Sequence, residues 1–417
     1  MRVLRLHAPY ARQGGEDRSF AEEVALLRGG GVEVRTFTRA NADVRRAGVG
    51  ATLAALVQTP FHRALHAAVR RLCRAFRPDV AHADNLWFAL SPCVHAACHD
   101  EGVPTVQSLR NYRLLCLNGL LLRDGQPCET CVGRTPWPGV RRRCYRGSAL
   151  LSAAVARMIQ VNRRRGTWKT DVDLFVAPSE FARGVFVRAG LEPEAIVVKP
   201  NFLADPGPPA PPGRGAVFVG RLAAEKGVDT LLEAWRRQPD VPLEVVGDGP
   251  ERAALEAQAR AHALRAVRFH GHLSPEGCAE VMRRAAYLVF PSACYETFGR
   301  SVMEAFALGR AVVAARGGAA AEIVEAGRTG WLFEVGDAGS LERAVARMEA
   351  EPAAVQAMGA AARRVYEARY TPARNLELLL GAYAQAQRRF AARAHGAGGR
   401  PAARPEAVGA CWEGGAP

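Results

Sequence analysis

Lysine is nearly missing from this chain: of its 56 basic residues, only Lys169, Lys199 and Lys226 are not arginine. The formal net charge of +15 is therefore carried almost wholly by guanidinium groups. A GC-rich coding sequence produces that skew by itself, which weakens any functional reading of the total. No zinc-finger, RNA-recognition or helix-turn-helix signature accompanies the basic clusters at 141–146 and 162–170, so nucleic acid is not an expected partner. Long apolar runs are missing too. The best stretch, 149–161, is short and carries Arg157, too little to span a bilayer. The opening "MRVLRLHAPY" has no signal-peptide core and passes straight into a strand-like pattern, so the expected location is cytoplasmic. Solvated helix ends and faces are the favoured reading of the basic clusters, and peripheral contact of the basic, partly apolar segment 141–165 with the inner face of an anionic membrane is the alternative.

Ten cysteines in such a chain argue against a disulfide framework. Four of them, Cys116, Cys128, Cys131 and Cys144, bracket a Gly-, Pro- and Arg-rich segment. Reduced loop thiols are the plain reading. A structural zinc on four thiolates is the alternative, although the outer spacings match no standard finger.

What is present is globular: 417 residues, 49% hydrophobic and 23% charged, which suit two domains of roughly 150–200 residues. Short apolar runs alternate with amphipathic ones. Residues 2–6, 32–37, 78–84, 103–109, 172–179 and 195–201 read as strands, with helices over 16–31 and 90–102 and Ser179 as an N-cap. The densest proline stretch, 201–215, cannot continue a helix or a central strand, and the alternation restarts after it. The expected layout is a domain over 1–204 with a cysteine-containing insert at 116–147, a linker at 205–215 and a second domain at 216–370. A helix at 371–390 returns toward the first domain, and a disordered tail fills 391–417. Such alternation predicts parallel, doubly wound sheets with ligands bound at their carboxyl edges.

Two stretches carry the chemistry. In "VGRLAAEKG" (219–227), Arg221 follows a strand and Lys226 stands just ahead of a helix, an arrangement suited to an anion; Gly227 lets backbone come close. In "YETFGRSVMEAF" (295–306), Glu296 lies in the loop and Glu304 in the second helical turn. Backbone N–H groups near Thr297, Phe298 and Gly299 could hold a phosphate. Glu304 sits among apolar neighbours and needs hydrogen-bond donors such as a ribose diol; Glu296 could accept from a hexose ring. The plain alternative is two solvated acids flanking a helix start. In "YARQGGED" (10–17), Gly14 and Gly15 permit positive φ and close approach to a ligand.

Taken in order with "VVGDGP" and "GGAAAEIVEAGRTGWLF", these stretches resemble the retaining glycosyltransferases of the GT-B fold, family four, over about residues 1–390. The resemblance implies an α/β fold of two Rossmann-like domains facing across a cleft. It implies transfer of a sugar from a nucleotide-diphosphate sugar to an acceptor glycan, glycolipid or small molecule, with retention. It also implies no cofactor and no catalytic metal. Arg221 and Lys226 would hold and stabilise the leaving diphosphate. Glu304 would bind the ribose and Glu296 the transferred sugar, and the Gly14–Gly15 backbone would close over the phosphates.

The only Asp-x-Asp, Asp171 and Asp173, reads as a strand-entry turn. One departure stands out. Arg110, in "SLRNYRLLC", occupies the place of a histidine common in the family, and arginine cannot act as a base. Arg110 and Asn111 are the expected acceptor-side residues; His7 and His82 are further cleft-side candidates, with a structural role the favoured reading of each. A non-catalytic nucleotide- or carbohydrate-binding scaffold, or a phosphorylase or epimerase on the same fold, is the alternative.

Overall fold

The apolar runs form two six-stranded sheets, parallel throughout. The computed structural model describes residues 1–10 and 14–396. The first sheet contains β1 (Arg2–His7), β2 (Glu33–Thr38), β3 (Val80–Ala83), β4 (Thr105–Ser108), β7 (Leu174–Ala177) and β8 (Ile196–Val198). Its order is β2-β1-β3-β4-β7-β8. Between β4 and β7 lies a two-stranded antiparallel hairpin, β5 (Leu122–Arg123) with β6 (Gln126–Pro127). The second sheet contains β9 (Ala216–Val219), β10 (Leu243–Val246), β11 (Val267–Gly271), β12 (Tyr287–Phe290), β13 (Ala311–Ala315) and β14 (Gly330–Phe333). Its order is β11-β10-β9-β12-β13-β14. The central strands "AVFV", "YLVF" and "AVVAA" are almost wholly apolar, as strands covered by helices on both faces must be.

Each sheet reverses its strand order once, between β1 and β3 in the first and between β9 and β12 in the second. The β9–β12 register holds only at Tyr287–Ala216 and Leu288–Val217, so the ladder lapses toward the carboxyl ends of the strands. Crevices that take ligands form at such points.

The segment from Pro200 to Gly215 carries no strand or helix and is firmly held. The buried Arg310 guanidinium donates to the carbonyls of Ala210 (2.9 Å) and Pro211 (3.2 Å). Arg363 donates to Asp205 at 2.7 Å. The chain then returns. The helix Pro372–Gly396 lays Leu379, Ala382, Tyr383 and Ala386 on Val3, Val80, Val106 and Val176 of the first sheet. This helix continues six residues past Phe390, so residues 391–396 are not the tail expected there, and the remainder of that expected tail lies outside the described residues. Alanine at 391, 392 and 394 is the strongest helix former, and Arg393 donates to the Val172 carbonyl at 3.2 Å. Among the described residues no helix is long and apolar enough to cross a membrane.

Candidate active site

Lys226 and Glu296, 70 residues apart in sequence, meet at the crevice between β9 and β12. After β9 the chain makes one 3-10 turn, Ala224–Lys226, and enters the helix Val228–Trp235. Gly227 turns that corner with φ +66°, and a Cβ there would lie 2.1 Å from the Pro291 carbonyl oxygen. Only glycine satisfies both demands. The Glu225 carbonyl accepts from Ala293 N (2.9 Å) and Ser292 Oγ (3.1 Å), which ties the two loops together. Gly318, with φ +61°, leaves room for the backbone of Glu296; a Cβ would lie 2.7 Å from its nitrogen.

The Glu296 carboxylate is held through one oxygen. Lys226 Nζ (2.5 Å), Ser292 Oγ (2.8 Å) and, more weakly, Cys294 Sγ (3.6 Å) all donate to Oε1. Oε2 has no protein partner among the described residues and can accept from a ligand. Burial pushes the carboxyl up, but the Lys226 ammonium and the hydroxyl more than offset it, so it stays below the usual carboxylate range. Burial lowers Lys226 in turn, and Glu296 reverses the sign, leaving it above the usual lysine range. Cys294, pushed up to about 12 by burial and the nearby Glu296, remains a thiol that donates.

Other expected donor-side residues fall differently. Arg221 lies at the mouth, its side chain 63% exposed and paired with Glu225. The Phe298 ring is a core group, 6% exposed and edge-on to Tyr370, which leaves its backbone rather than its side chain as the part that could meet a ligand. An aromatic ring beside a helix start packs inward when a second aromatic awaits it. Gly299 is the N-cap of the helix Arg300–Ala307, and Glu304 does lie in its second turn. Yet Glu304 does not await a ligand to satisfy it: Arg300 Nε donates to it at 3.2 Å and Arg18 approaches to 3.7 Å. Burial still pushes its carboxyl up, against both arginines. Arg300 also forks onto Glu22 of the first domain, at 2.7 and 3.0 Å. Three further contacts cross the cleft. Thr297 Oγ1 donates to the Arg110 carbonyl (2.8 Å), Ser179 Oγ donates to the Thr297 carbonyl (2.8 Å), and Glu322 accepts from the Glu180 and Phe181 amides.

On the first domain, Gly14 is an extended N-cap (φ −130°) and Gly15 begins the helix Gly15–Gly29, so neither uses the positive φ expected of them. A Cβ on either would meet nothing within 4 Å, so the space beside them is open. Arg110 and Asn111 line one cavity but make different bonds. Arg110 sits in a buried ionic cluster, with Nε donating to Asp84 (2.9 Å), an ion pair to Glu23 (2.7 Å) and Nη1 donating to Asn201 (2.7 Å). Arg5 (3.0 Å to Glu23) and Lys199 (2.7 Å to Glu23) complete it. These bonds tie β1, β3 and Asn201 together, and Arg110 at the same time lines the cavity that Asn111 borders. His82 is sealed beside it, donating or accepting with Tyr383 and Ser108, and burial with Arg5 pushes it down to about 3. His7 is likewise buried, on Asp17 at 2.8 Å.

Asn111 instead donates to Glu16 Oε1 at 2.8 Å, and Tyr10 donates to Oε2 at 3.0 Å. Glu16, Asn111 and Arg113 line one side of a cavity of about 500 Å³, mouth included; Trp87, Met158 and Trp168 line another. Burial pushes Glu16 up against both hydrogen bonds. Glu16 and the Trp168 wall were not among the expected site residues. The signal for Glu16 was its place directly after Gly14–Gly15; Trp168 had none.

The four insert cysteines do converge, lining one cavity with Leu117 and Arg142. Among the described residues, however, no group of three potential ligands is arranged to hold a metal. Asp173 accepts from Thr105 N (2.7 Å) and pairs with His99 and Arg393, a strand-entry role.

Comparison with known proteins fits this architecture. Residues 14–201 match the "Glycosyl transferase 4-like domain" and residues 210–365 match "Glycosyl transferases group 1". Glycogen synthase of Mycobacterium tuberculosis is 38% identical over 153 residues, 36% of this chain and 37% of that one. Alpha-D-kanosaminyltransferase of Streptomyces kanamyceticus is 31% identical over 172 residues, 40% of this chain and 44% of that one. These matches thus span less than half the length of either curated relative. Among solved structures, Anabaena HepE in complex with UDP superposes with a TM-score of 0.66 at 19% identity, over 92% of this chain and 100% of that one. Sucrose-phosphate synthase of Thermosynechococcus elongatus gives 0.68 at 17% identity, over 92% and 99%. With a glycosyl transferase 4-like domain over residues 14–201, a group 1 domain over 210–365 and two parallel sheets that superpose on GT-B structures, the chain is a glycosyltransferase of the GT-B fold whose second half is of the group 1 type.

Proposed function

We propose that this protein moves a sugar from a nucleotide-diphosphate sugar to an acceptor hydroxyl, with retention and without a catalytic metal. The observation that carries the reading is the Lys226–Glu296 pair at the strand-reversal crevice, with Glu296 Oε2 open. As the donor bond breaks, negative charge grows on the diphosphate, and a fixed ammonium meets it with no reorganisation. Glu296 Oε2 accepts from hydroxyls of the sugar and holds its anomeric carbon toward the first domain. Glu304 reaches the ribose diol by sharing its carboxylate with Arg300. The leaving diphosphate takes the acceptor proton on the same face from which it departs, which keeps the anomeric configuration. The protein acts on the cytoplasmic side, at the inner face of the membrane.

The HepE structure holds UDP, which makes UDP the first donor base to try. Thermal unfolding is measured with UDP, GDP, ADP and dTDP, and products are analysed with the matching sugar. One nucleotide, at about a hundred times its Kd, should add ~2.7 kcal/mol of stability. No shift with any of the four would overturn the donor reading. Sugar phosphate formed with phosphate in place of an acceptor, or an epimerised donor, would replace transfer by phosphorolysis or epimerisation.

The acceptor enters the cavity beside Glu16, whose two oxygens each keep a lone pair beyond those used by Asn111 and Tyr10. Removing a charged acceptor of one hydrogen bond costs about 2 kcal/mol, so Glu16→Gln should raise acceptor KM ~30-fold. The nucleotide-induced thermal shift should stay as in the parent protein. An unchanged acceptor KM would remove Glu16 from the site.

A further inference from the structure

Between Glu129 and Asp171 the chain contains no acidic residue, yet it carries nine arginines and Lys169. Elsewhere in the protein about half of the arginines have a carboxylate partner, as Arg5, Arg70 and Arg300 do. Here, among the described residues, none of the ten cations forms an ion pair. Arg163 and Arg157 each donate to a carbonyl, of Arg134 and Val57, Arg142 donates to Thr130, and Arg146 and Arg165 lie over the rings of Tyr145 and Phe61. Unpaired cations in such number repel one another and are retained only at some cost in stability.

The same segment exposes apolar side chains. Leu150 is 71% exposed and Trp137 48%, and Val57, which Arg157 tethers at 2.6 Å, is 63% exposed. The helix Ala149–Arg165 sorts the two properties by face. Leu150, Arg157 and Arg164 recur every seven residues and form its exposed stripe, while Val155, Met158, Ile159 and Asn162 are buried. The short helix Trp137–Arg141 packs against it, and the neighbouring helix Val49–Gln58 bears no charge. Met158, on the buried stripe, lines the cavity beside Glu16.

We propose that this face, built on residues 49–58 and 134–165, seats the protein on an anionic lipid surface. Leu150, Val57 and Trp137 enter the headgroup boundary, and the arginines meet lipid phosphates. A helix lying flat in the interface with arginine beside leucine and tryptophan has this composition. Nucleic acid would satisfy the arginines but leave Leu150 and Val57 in water, so lipid fits better. The inference deepens the glycosyl-transfer reading by putting the acceptor cavity directly behind the lipid-facing helix. Its test does not depend on that reading.

The full chain is sedimented with vesicles of phosphatidylcholine containing about a third phosphatidylglycerol, and with phosphatidylcholine alone, at about 0.1 M salt. It should pellet with the first and stay in solution with the second. Leu150→Ser combined with Trp137→Ser should cut the bound fraction at least ~5-fold, and Arg141→Ser with Arg143→Ser by a similar factor. The unfolding temperature and the nucleotide-induced shift of both variants should match the parent, which separates a lost surface from a lost fold and from a failed donor site. No sedimentation with anionic vesicles, or sedimentation that either double variant leaves intact, would overturn the proposal. So would binding of duplex DNA in an anisotropy titration without any vesicle binding, which would make nucleic acid the partner.

Discussion

Lys226→Ala should lower turnover of the donor by ~100- to 1,000-fold, the loss measured when one fixed charge-stabilising donor is taken from a developing anion. The ammonium has two jobs in the structure, and both fail together. It would no longer meet the leaving diphosphate. It would also leave Glu296 buried with only Ser292 and Cys294 as donors. Burial is the largest influence on that carboxyl, and Lys226 is the largest influence against it. Without the lysine, the folded-state pKa of Glu296 rises. If ionised Glu296 is required, activity falls as pH drops through that pKa, so the acidic limb of the rate profile moves to higher pH in the variant. Steady-state rates across about pH 5 to 9, within the window where a raised carboxylate titrates, check both effects. A variant keeping more than about a tenth of parental kcat would remove Lys226 from the reaction. Loss of rate with an unmoved acidic limb would separate the lysine from Glu296.

Glu23→Ala should destabilise the protein by ~3–5 kcal/mol, the largest stability effect we expect from one surface-distant substitution. Glu23 is 1% exposed and faces three cations, Arg5, Arg110 and Lys199, with only Asp84 to share them. Removing it leaves buried positive charge without compensation. Burial pushes the Glu23 carboxyl up, and Arg110, Lys199 and Arg5 pull it well below the usual range; Asp84 is likewise depressed, chiefly by Arg5 and Arg110 against its burial. The unfolded chain then binds more protons than the folded one at low pH. The stabilisation is therefore complete above the unfolded carboxylate pKa of about 4 and is lost as pH falls through the folded values. The stabilities of parent and variant from denaturant unfolding should begin to approach each other only as pH falls below about 4, with a shallower pH slope in the variant. Parallel slopes would mean that Glu23 is not the titrating member.

Much of this architecture was legible because parallel strands buried on both faces write continuous apolar runs, as in "AVFV" and "YLVF". The meeting of Lys226 with Glu296 was readable only as membership in one donor half. Their contact depends on Gly227 and Gly318 admitting Pro291 and Glu296, which no local pattern records. Arg110 shows the limit most clearly. It follows a strand and precedes Asn111, so it reads as a cleft residue; it does line the cavity, but nothing local marks it as a member of a buried ionic cluster. Its actual partners, Glu23, Asp84 and Asn201, lie 26 to 91 positions away, on a helix, after β3 and in the linker. The partners of Glu304 were hidden in the same way: its apolar flanks were visible, but Arg18 comes from the opposite domain. Helix length at the carboxyl terminus was underestimated because low-complexity alanine hides the packing of Arg389 and Arg393 against the first sheet.

The helix Pro372–Gly396 has a consequence for how the protein is made. The ribosome completes the first sheet about two hundred residues before it delivers the residues that cover one of its faces, since Leu379, Tyr383 and Ala386 are the lid on Val3, Val80 and Val106. During that interval the nascent first domain carries a bare apolar face. Native-like closure of the earlier half must wait until the later half has been synthesised, so this enzyme cannot mature strictly from front to back.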